Sequence, residues 1–202
     1  MVKIKLTESD AIINEKIFTS LAKALNKSLP KAASAVENKL RPIIKDALLD
    51  SPEINSLSNG SLRLEFGLTS DPTSAIVDAI VSTIKVKATK VNTKLQGGFT
   101  LVMQPTNFSN LLSLPVAEQP IESGGSIPWL YWLLTLGDAV IIADFGVEFG
   151  GGRGRTGGAI MTPVNSPYKV DSRFSGTQDD NFITRAVGRV SSQVREIILK
   201  AI

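Results

Sequence analysis

Cysteine and histidine are both absent from the 202 residues. Without them there can be no disulfide, no Cys nucleophile, no Ser-His triad and no zinc site built on Cys and His. Carboxylate and lysine chemistry stay open. A fold that owes nothing to cross-links fits a reducing compartment. Long hydrophobic runs are also missing. The longest, Ile127 to Leu136, stops at Gly137-Asp138 and is too short to span a bilayer. The opening MVKIKLTESD has neither an apolar core nor a small-residue cleavage site, so it does not read as a signal peptide and a soluble protein is expected. Internal repeats and low-complexity segments are absent too.

Hydrophobic residues at 43% and charged residues at 20% describe an ordinary globular chain, long enough for one domain that buries roughly 70% of its unfolded surface. The net charge of +3 is unevenly placed. Residues 1–100 hold fourteen Lys and Arg against ten acids, and residues 101–202 hold eight against nine. Such asymmetry can orient a protein on an acidic partner, although lysines on solvated helix faces give the same count.

Periodicity supplies the elements. Thr7 or Ser9 can cap a first helix in which Ile13, Ile17, Leu21 and Leu25 recur every fourth residue, with Phe18 beside them. Pro30 is expected to interrupt and restart it. Leu29, Ala33, Val36, Leu40, Ile43 or Ile44, and Ala47 or Leu48 continue the stripe, with a kink at Pro42 and a stop at Asp50-Ser51-Pro52. Ser58-Asn59-Gly60 reads as a turn, and the alternation of Leu62, Leu64, Phe66 and Leu68 reads as a strand. Asp71-Pro72 opens a helix carrying Ile76, Val77, Ile80 and Val81. Ile84 to Gln104 reads as a β-hairpin with a glycine turn at Gly97-Gly98. Residues 105–127 form a long connection around one short apolar helix, Phe108 to Leu114. From Thr177 or Asp179, the spacing of Ile183, Ala186, Val187, Val190, Val194, Ile197, Ile198 and Ala201 predicts a C-terminal helix.

The stretch PWLYWLLTLGDAVIIADFGVEFGGGRGRTGGAIM, Pro128 to Met161, holds both tryptophans and the longest glycine-rich loop. Pro128 suits the first position of a helix, with Ser126 or Ile127 as its cap. That helix is apolar around most of its circumference, so it is buried or held by a neighbour. Ala139 to Ala143 and Gly146 to Phe149 read as strands. Trp129 and Trp132 stand three apart, so both can cover one patch, either in the core or as a subunit contact.

Gly152 to Gly157 formally matches GxGxxG, but Thr162-Pro163 follows too soon for the helix that a dinucleotide site needs. Arg153 and Arg155 in this loop could grip a phosphate or carboxylate. Lys85, Lys87, Lys90 and Lys94 are read on the first hairpin strand, on both faces. They serve either as edge protection or as an arm reaching a neighbouring subunit or nucleic acid. Asp144 and Glu148, four apart, are the one carboxylate pair that acid–base chemistry could use.

WLYWLL followed by a glycine, then VEFG, GRTGGAIM and FSGTQDDNFITRA, resembles a pattern of structural virion proteins of tailed bacteriophages, over roughly residues 127–187. The first half, with its helix pair, its turn at Gly60-Ser61-Leu62-Arg63 and its hairpin, is similar in outline to neck and tail-completion proteins. The resemblance implies a non-enzymatic virion subunit, tail-terminator-like, that forms a ring with copies of itself and adjoining neck, tail or baseplate proteins. It implies no cofactor, metal or membrane. The expected fold is α+β: one domain, 1–202, with a small mixed or antiparallel sheet and a protruding β-hairpin at 84–104. Long N-terminal and C-terminal helices flank it, with an extended connection at 105–127 and a glycine-rich loop at 150–158. The expected interface residues are Lys85, Lys87, Lys90, Lys94, Trp129, Trp132, Arg153 and Arg155. A DNA-binding module and a carboxylate-dependent hydrolase are the rival readings.

Overall fold

The computed structural model describes residues 8–121, 124–150, 152, 154–163 and 167–201. In chain order the elements are α1 (Asp10–Leu49), α2 (Pro52–Asn59), α3 (Ser61–Glu65), α4 (Thr73–Ser82), β1 (Lys85–Thr89) and β2 (Gly98–Val102). Then come α5 (Ser109–Leu112), β3 (Gln119–Pro120), β4 (Ser126–Ile127), α6 (Trp129–Thr135), β5 (Phe145–Phe149), β6 (Ala159–Pro163), α7 (Phe182–Arg189) and α8 (Ser191–Leu199). The fold is α+β. Its strands pair as three separate antiparallel ladders, β1–β2, β3–β4 and β5–β6.

The chain forms two compact units. One comprises Met1–Leu40, Ile84–Val102 and Gln193–Ile202, and the other Arg41–Thr83 and Met103–Ser192. In the first, the hairpin is fastened along α1. The Asn26 side chain donates to the Val91 carbonyl (2.9 Å) and accepts from the Val91 N–H (2.8 Å). About three turns further on, the Glu37 carboxylate accepts from the Val86 N–H (3.1 Å). The second unit has the larger core: Leu57, Leu62, Phe66, Ile76, Ile80, Leu111, Trp129, Leu130, Leu133, Leu134, Phe182 and Ala186 are all buried.

Several sequence expectations need correction. α1 runs unbroken through Pro30 and Pro42. A proline inside a helix costs ~3 kcal/mol, and burial of Leu29, Ala33, Val36, Leu40, Ile44 and Leu48 along one stripe offsets it. Ser58 and Asn59 belong to α2, which Ser51 caps by accepting from the Ile54 N–H. The expected strand at 62–68 is the helix α3. Leu62 and Phe66 are four apart as well as even-spaced, and both are fully buried, as one helical turn allows. Gly67, at φ +66°, then closes the turn: its N–H bonds the Leu64 carbonyl and the Leu68 N–H bonds that of Arg63. That is a Schellman ending, which a left-handed glycine makes possible.

Ala139 to Ala143 forms no strand, only a bridge between Ile142 and Tyr168. The C-terminal helix is two helices, and it starts at neither Thr177 nor Asp179. Asn181 caps α7 in a box with Thr184, each side chain bonding the other's N–H. Gly188, a poor helix former, lies just before the break between α7 and α8.

No helix among the described residues is long and apolar enough to cross a membrane.

Candidate functional site

The aromatic stretch is where the second unit's core meets its surface. Trp129, the first residue of α6, is fully buried. Its ring lies 5.5 Å from that of Phe66, and its indole N–H donates to the Val116 carbonyl at 2.9 Å. That is a core side chain with its polar handle satisfied. Trp132 is half-buried and packs against Tyr168 at 6.1 Å between ring centres. Helical spacing therefore brings the pair to neighbouring positions with different surroundings. Tyr131, between them, faces solvent.

Beyond α6, β5 and β6 form a hairpin whose connection is the glycine-rich loop. The Gly150 N–H bonds the Gly158 carbonyl, and the Gly157 N–H bonds that of Gly154. A Cβ on Gly154 would stand 1.6 Å from the Ala159 carbonyl oxygen, so only glycine fits there. Because β6 follows the loop, no helix N-terminus is available to hold a pyrophosphate. Arg155 is exposed, beside Gly67, and Arg153 lies outside the described residues. Arg155 and Arg63 line one shallow cleft. There the Arg63 guanidinium is already committed to backbone, donating to the Ser58 carbonyl at 2.7 Å.

The register Phe145↔Pro163, Val147↔Met161, Phe149↔Ala159 puts these six residues on one face of the hairpin. Phe145, Phe149 and Met161 on that face are exposed, Phe149 at 54%. A second exposed apolar face lies on the N-terminal part of α1, where Ile17 and Leu21 are 49% and 45% exposed and Phe18 stands beside them. Here the fourfold recurrence read in the sequence exists as a stripe that nothing in the described chain covers fully.

The lysines do not all lie on one strand. β1 ends at Thr89, so Lys90 and Lys94 sit in the connection to β2, while Lys85 and Lys87 share one face by alternation. The ladder stops there because the Asn92 side chain accepts from the Lys94 and Gln96 N–H groups and folds the chain into a local turn. Lys85 stands 3.7 Å from Glu37, and all four lysines are exposed.

Asp144 precedes β5 and Glu148 lies within it, both exposed to solvent. A different carboxyl, which no motif or spacing marks, lines a cleft of about 630 Å³ beside the β5–β6 hairpin. Glu65, the last residue of α3, lies with its carboxyl against the hydroxyl of Tyr168, without a well-aligned hydrogen bond between them. Burial pushes the Glu65 carboxyl from 4.5 up to about 7; the charge of Asp171 adds to this and the nearby phenol opposes it. Asp171 is itself held below the usual carboxylate range by hydrogen bonds from Arg173 (2.6 Å from Nη2). One carboxyl is thus kept protonated near neutrality while its neighbour stays ionised. Among the described residues no three carboxylates gather closely enough to hold a metal ion.

This gives a stability prediction. Between pH 4.5 and 7 the folded chain keeps a proton on Glu65 that the unfolded chain releases. Stability from this group is therefore complete below the lower value and is lost as pH rises through the upper one. The full shift would correspond to ~3 kcal/mol, and partial exposure reduces that to ~1–2 kcal/mol. Urea midpoints at pH 5 and pH 8 should differ accordingly, and Glu65→Gln should flatten the difference. An unchanged pH slope in that variant would contradict the assignment.

Comparison with family models, with curated proteins and with solved structures gives no match to this chain.

Proposed function

We propose that this chain is a structural subunit of a tailed-phage particle, working in a neck or tail ring of the tail-completion or tail-terminator type. Its work is gripping copies of itself and adjoining proteins, with no bond made or broken. The observation that carries this reading is the apolar strip of Ile17, Phe18 and Leu21 on α1, each close to half exposed. A helix end with an uncovered apolar face draws little stability from its own unit, since helices in proteins are held mainly by packing of that face. A neighbouring subunit supplies the missing cover. The exposed Phe145, Phe149 and Met161 of the β5–β6 hairpin support the same reading, because grouped apolar side chains at a surface mark interaction sites. The resemblance carried by WLYWLL, VEFG, GRTGGAIM and FSGTQDDNFITRA points to a virion. A baseplate or other tail position suits the same features.

Measured mass against concentration tests the proposal. Purified protein should assemble in the micromolar range or below, and Ile17→Lys with Leu21→Lys should hold it at the mass of one copy with its helical circular dichroism intact. Protein that stays a monomer at every concentration would defeat the reading.

A second reading has its own observation, the four exposed lysines around the β1–β2 hairpin. If they bind duplex DNA, affinity will fall steeply with salt as counterions are released. A retention that is weak and flat in salt removes that reading.

A further inference from the structure

We infer that the cleft between α3 and the glycine-rich loop binds the phosphate group of a small molecule, held by the guanidinium groups of Arg63 and Arg155. The inference goes beyond the assembly reading and does not depend on it.

The local fold places each arginine. Arg63 lies in α3 and is tied to the turn that ends it: its Nε donates to the Leu68 carbonyl at 3.4 Å, and its own carbonyl accepts from the Leu68 N–H at 2.9 Å. Nη1 donates to the Ser58 carbonyl at 2.7 Å, and Nη2 reaches that of Thr69 at 3.5 Å. These three bonds leave further N–H groups over, so the charge is fixed in position and can still donate. Arg155 stands at one corner of the turn that the Gly157 N–H closes onto the Gly154 carbonyl at 2.8 Å, with Thr156 at the other corner. Gly158 lets the loop settle against α3, since a Cβ there would stand 2.7 Å from Leu64 Cδ2. The Arg155 guanidinium then lies over Gly67, with Nη1 3.8 Å from the point a Cβ would occupy. Both arginines thus adjoin the Gly67-Leu68 turn, and both line one cleft of about 490 Å³.

The positive charge gathered there is unanswered. Residues 41–83 and 103–192 carry nine Lys and Arg against fourteen Asp and Glu, a net of −5. Yet two of those nine line this cleft and none of the fourteen does. Among the described residues no carboxylate forms an ion pair with Arg63 or Arg155. Asp71, just past the turn, accepts instead from Ser58 Oγ at 2.8 Å and from the Thr73 N–H at 2.9 Å. Glu65, just before the turn, lines the other cleft, beside the β5–β6 hairpin. Like charges brought together repel, and an anion seated between them removes that cost. Thr69 and Thr156 add hydroxyl groups to the same lining.

Shape and charge select phosphate. A carboxylate offers two oxygens in one plane, which a single guanidinium fork fills. A phosphate monoester carries about −2 near neutral pH and offers three oxygens pointing apart, so forks from α3 and from the loop can both bond it. The cleft falls within the ~300–1,000 Å³ of small-molecule sites. That is more room than a phosphate fills, and Leu64 and Leu68 give the remainder an apolar wall.

The test is a titration of isotope-labelled protein with phenyl phosphate, inorganic phosphate and benzoate at constant ionic strength, with amide shifts read by NMR. Both phosphates should bind in the millimolar range or tighter and move the amides of Gly67, Leu68, Thr69, Arg155 and Thr156. Benzoate should bind about tenfold more weakly or not at all, since it engages one fork only. A phenyl ester that binds more tightly than the free ion marks an organic monoester as the ligand; the reverse order marks inorganic phosphate. Arg155→Ala should weaken phenyl phosphate about tenfold or more, the scale of a lost hydrogen bond to a charged group. Arg155 is exposed and makes no bond within the described chain, so the rest of the spectrum should stay in place. Arg155→Lys keeps the charge without the fork and should fall between the two.

No shift with either phosphate, or an affinity that Arg155→Ala leaves unchanged, overturns the site. Benzoate binding as tightly as phenyl phosphate overturns the choice of phosphate. A short DNA duplex that moves these amides when phenyl phosphate does not would assign the arginines to a polynucleotide and overturn the small ligand. Self-assembly is read separately, by mass, and can fail or succeed without changing any of these results.

Discussion

Trp129→Ala should cost ~3–5 kcal/mol of stability, the range for removing a large aromatic from a packed core. Trp129 has no exposed surface, it packs on Phe66, and its indole N–H holds the Val116 carbonyl. Truncation opens a cavity beside Phe66 and strands that carbonyl, two losses that add. Domains of this size are stable by only ~5–15 kcal/mol, so about a fifth or more of the total is at stake. Trp132→Ala, three residues on, removes a half-buried ring from Tyr168 and should cost nearer ~1 kcal/mol. Urea unfolding followed by fluorescence of the remaining tryptophan reads both. Equal losses in the two variants would contradict the placement of Trp129 as the core residue.

The second large effect lies at a buried ion pair. Glu53, in the first turn of α2, is 2% exposed, and its Oε1 accepts from Arg185 Nη2 at 2.8 Å. The same guanidinium reaches the carbonyls of Phe174 and Ser175 and the Asp180 carboxylate, so α7 and the segment before it are tied to α2 through one side chain. Arg185→Met leaves the Glu53 charge buried without its partner, which typically costs ~3–5 kcal/mol. Replacing both residues by methionine removes the charge as well as the bond and should recover most of that loss. A double-mutant cycle on unfolding free energies measures the coupling. Additive losses would show that the two groups do not act together.

How much of this was legible beforehand differs by element. The stripe of α1 from Leu29 to Leu48 was readable because burial follows a 3.6-residue period, and the chain follows it closely. The helix at Ile76 to Ile80 and the strand at Gly146 to Phe149 were readable for similar local reasons. Residues 62–68 misled because four alternating apolar positions also contain an i, i+4 pair. The deciding signal was Gly67, placed where a Schellman ending needs it. The start of α7 is set by Asn181 with Thr184, a cap whose pattern differs from the commoner Ser/Thr with Glu box and so is a weaker signal in sequence.

Three-dimensional proximity was beyond reach. Nothing in the sequence places Tyr168 against Glu65, or Arg185 against Glu53, 132 residues away. The lysines could be counted but not positioned, since the end of β1 depends on the turn that Asn92 closes. The apolar stripe of Ile13, Ile17, Leu21 and Leu25 was plain in the sequence. Its exposure was not, because periodicity tells which residues share a face and leaves open what covers it.

Copy number in purified particles tests the central claim most directly. Quantitative mass spectrometry of washed virions from a phage carrying this chain should find it at a fixed number of copies per particle, with a ring of labelled density at the neck or tail. A particle preparation of full infectivity that lacks the chain, with the protein found only free in the lysate, would contradict the account.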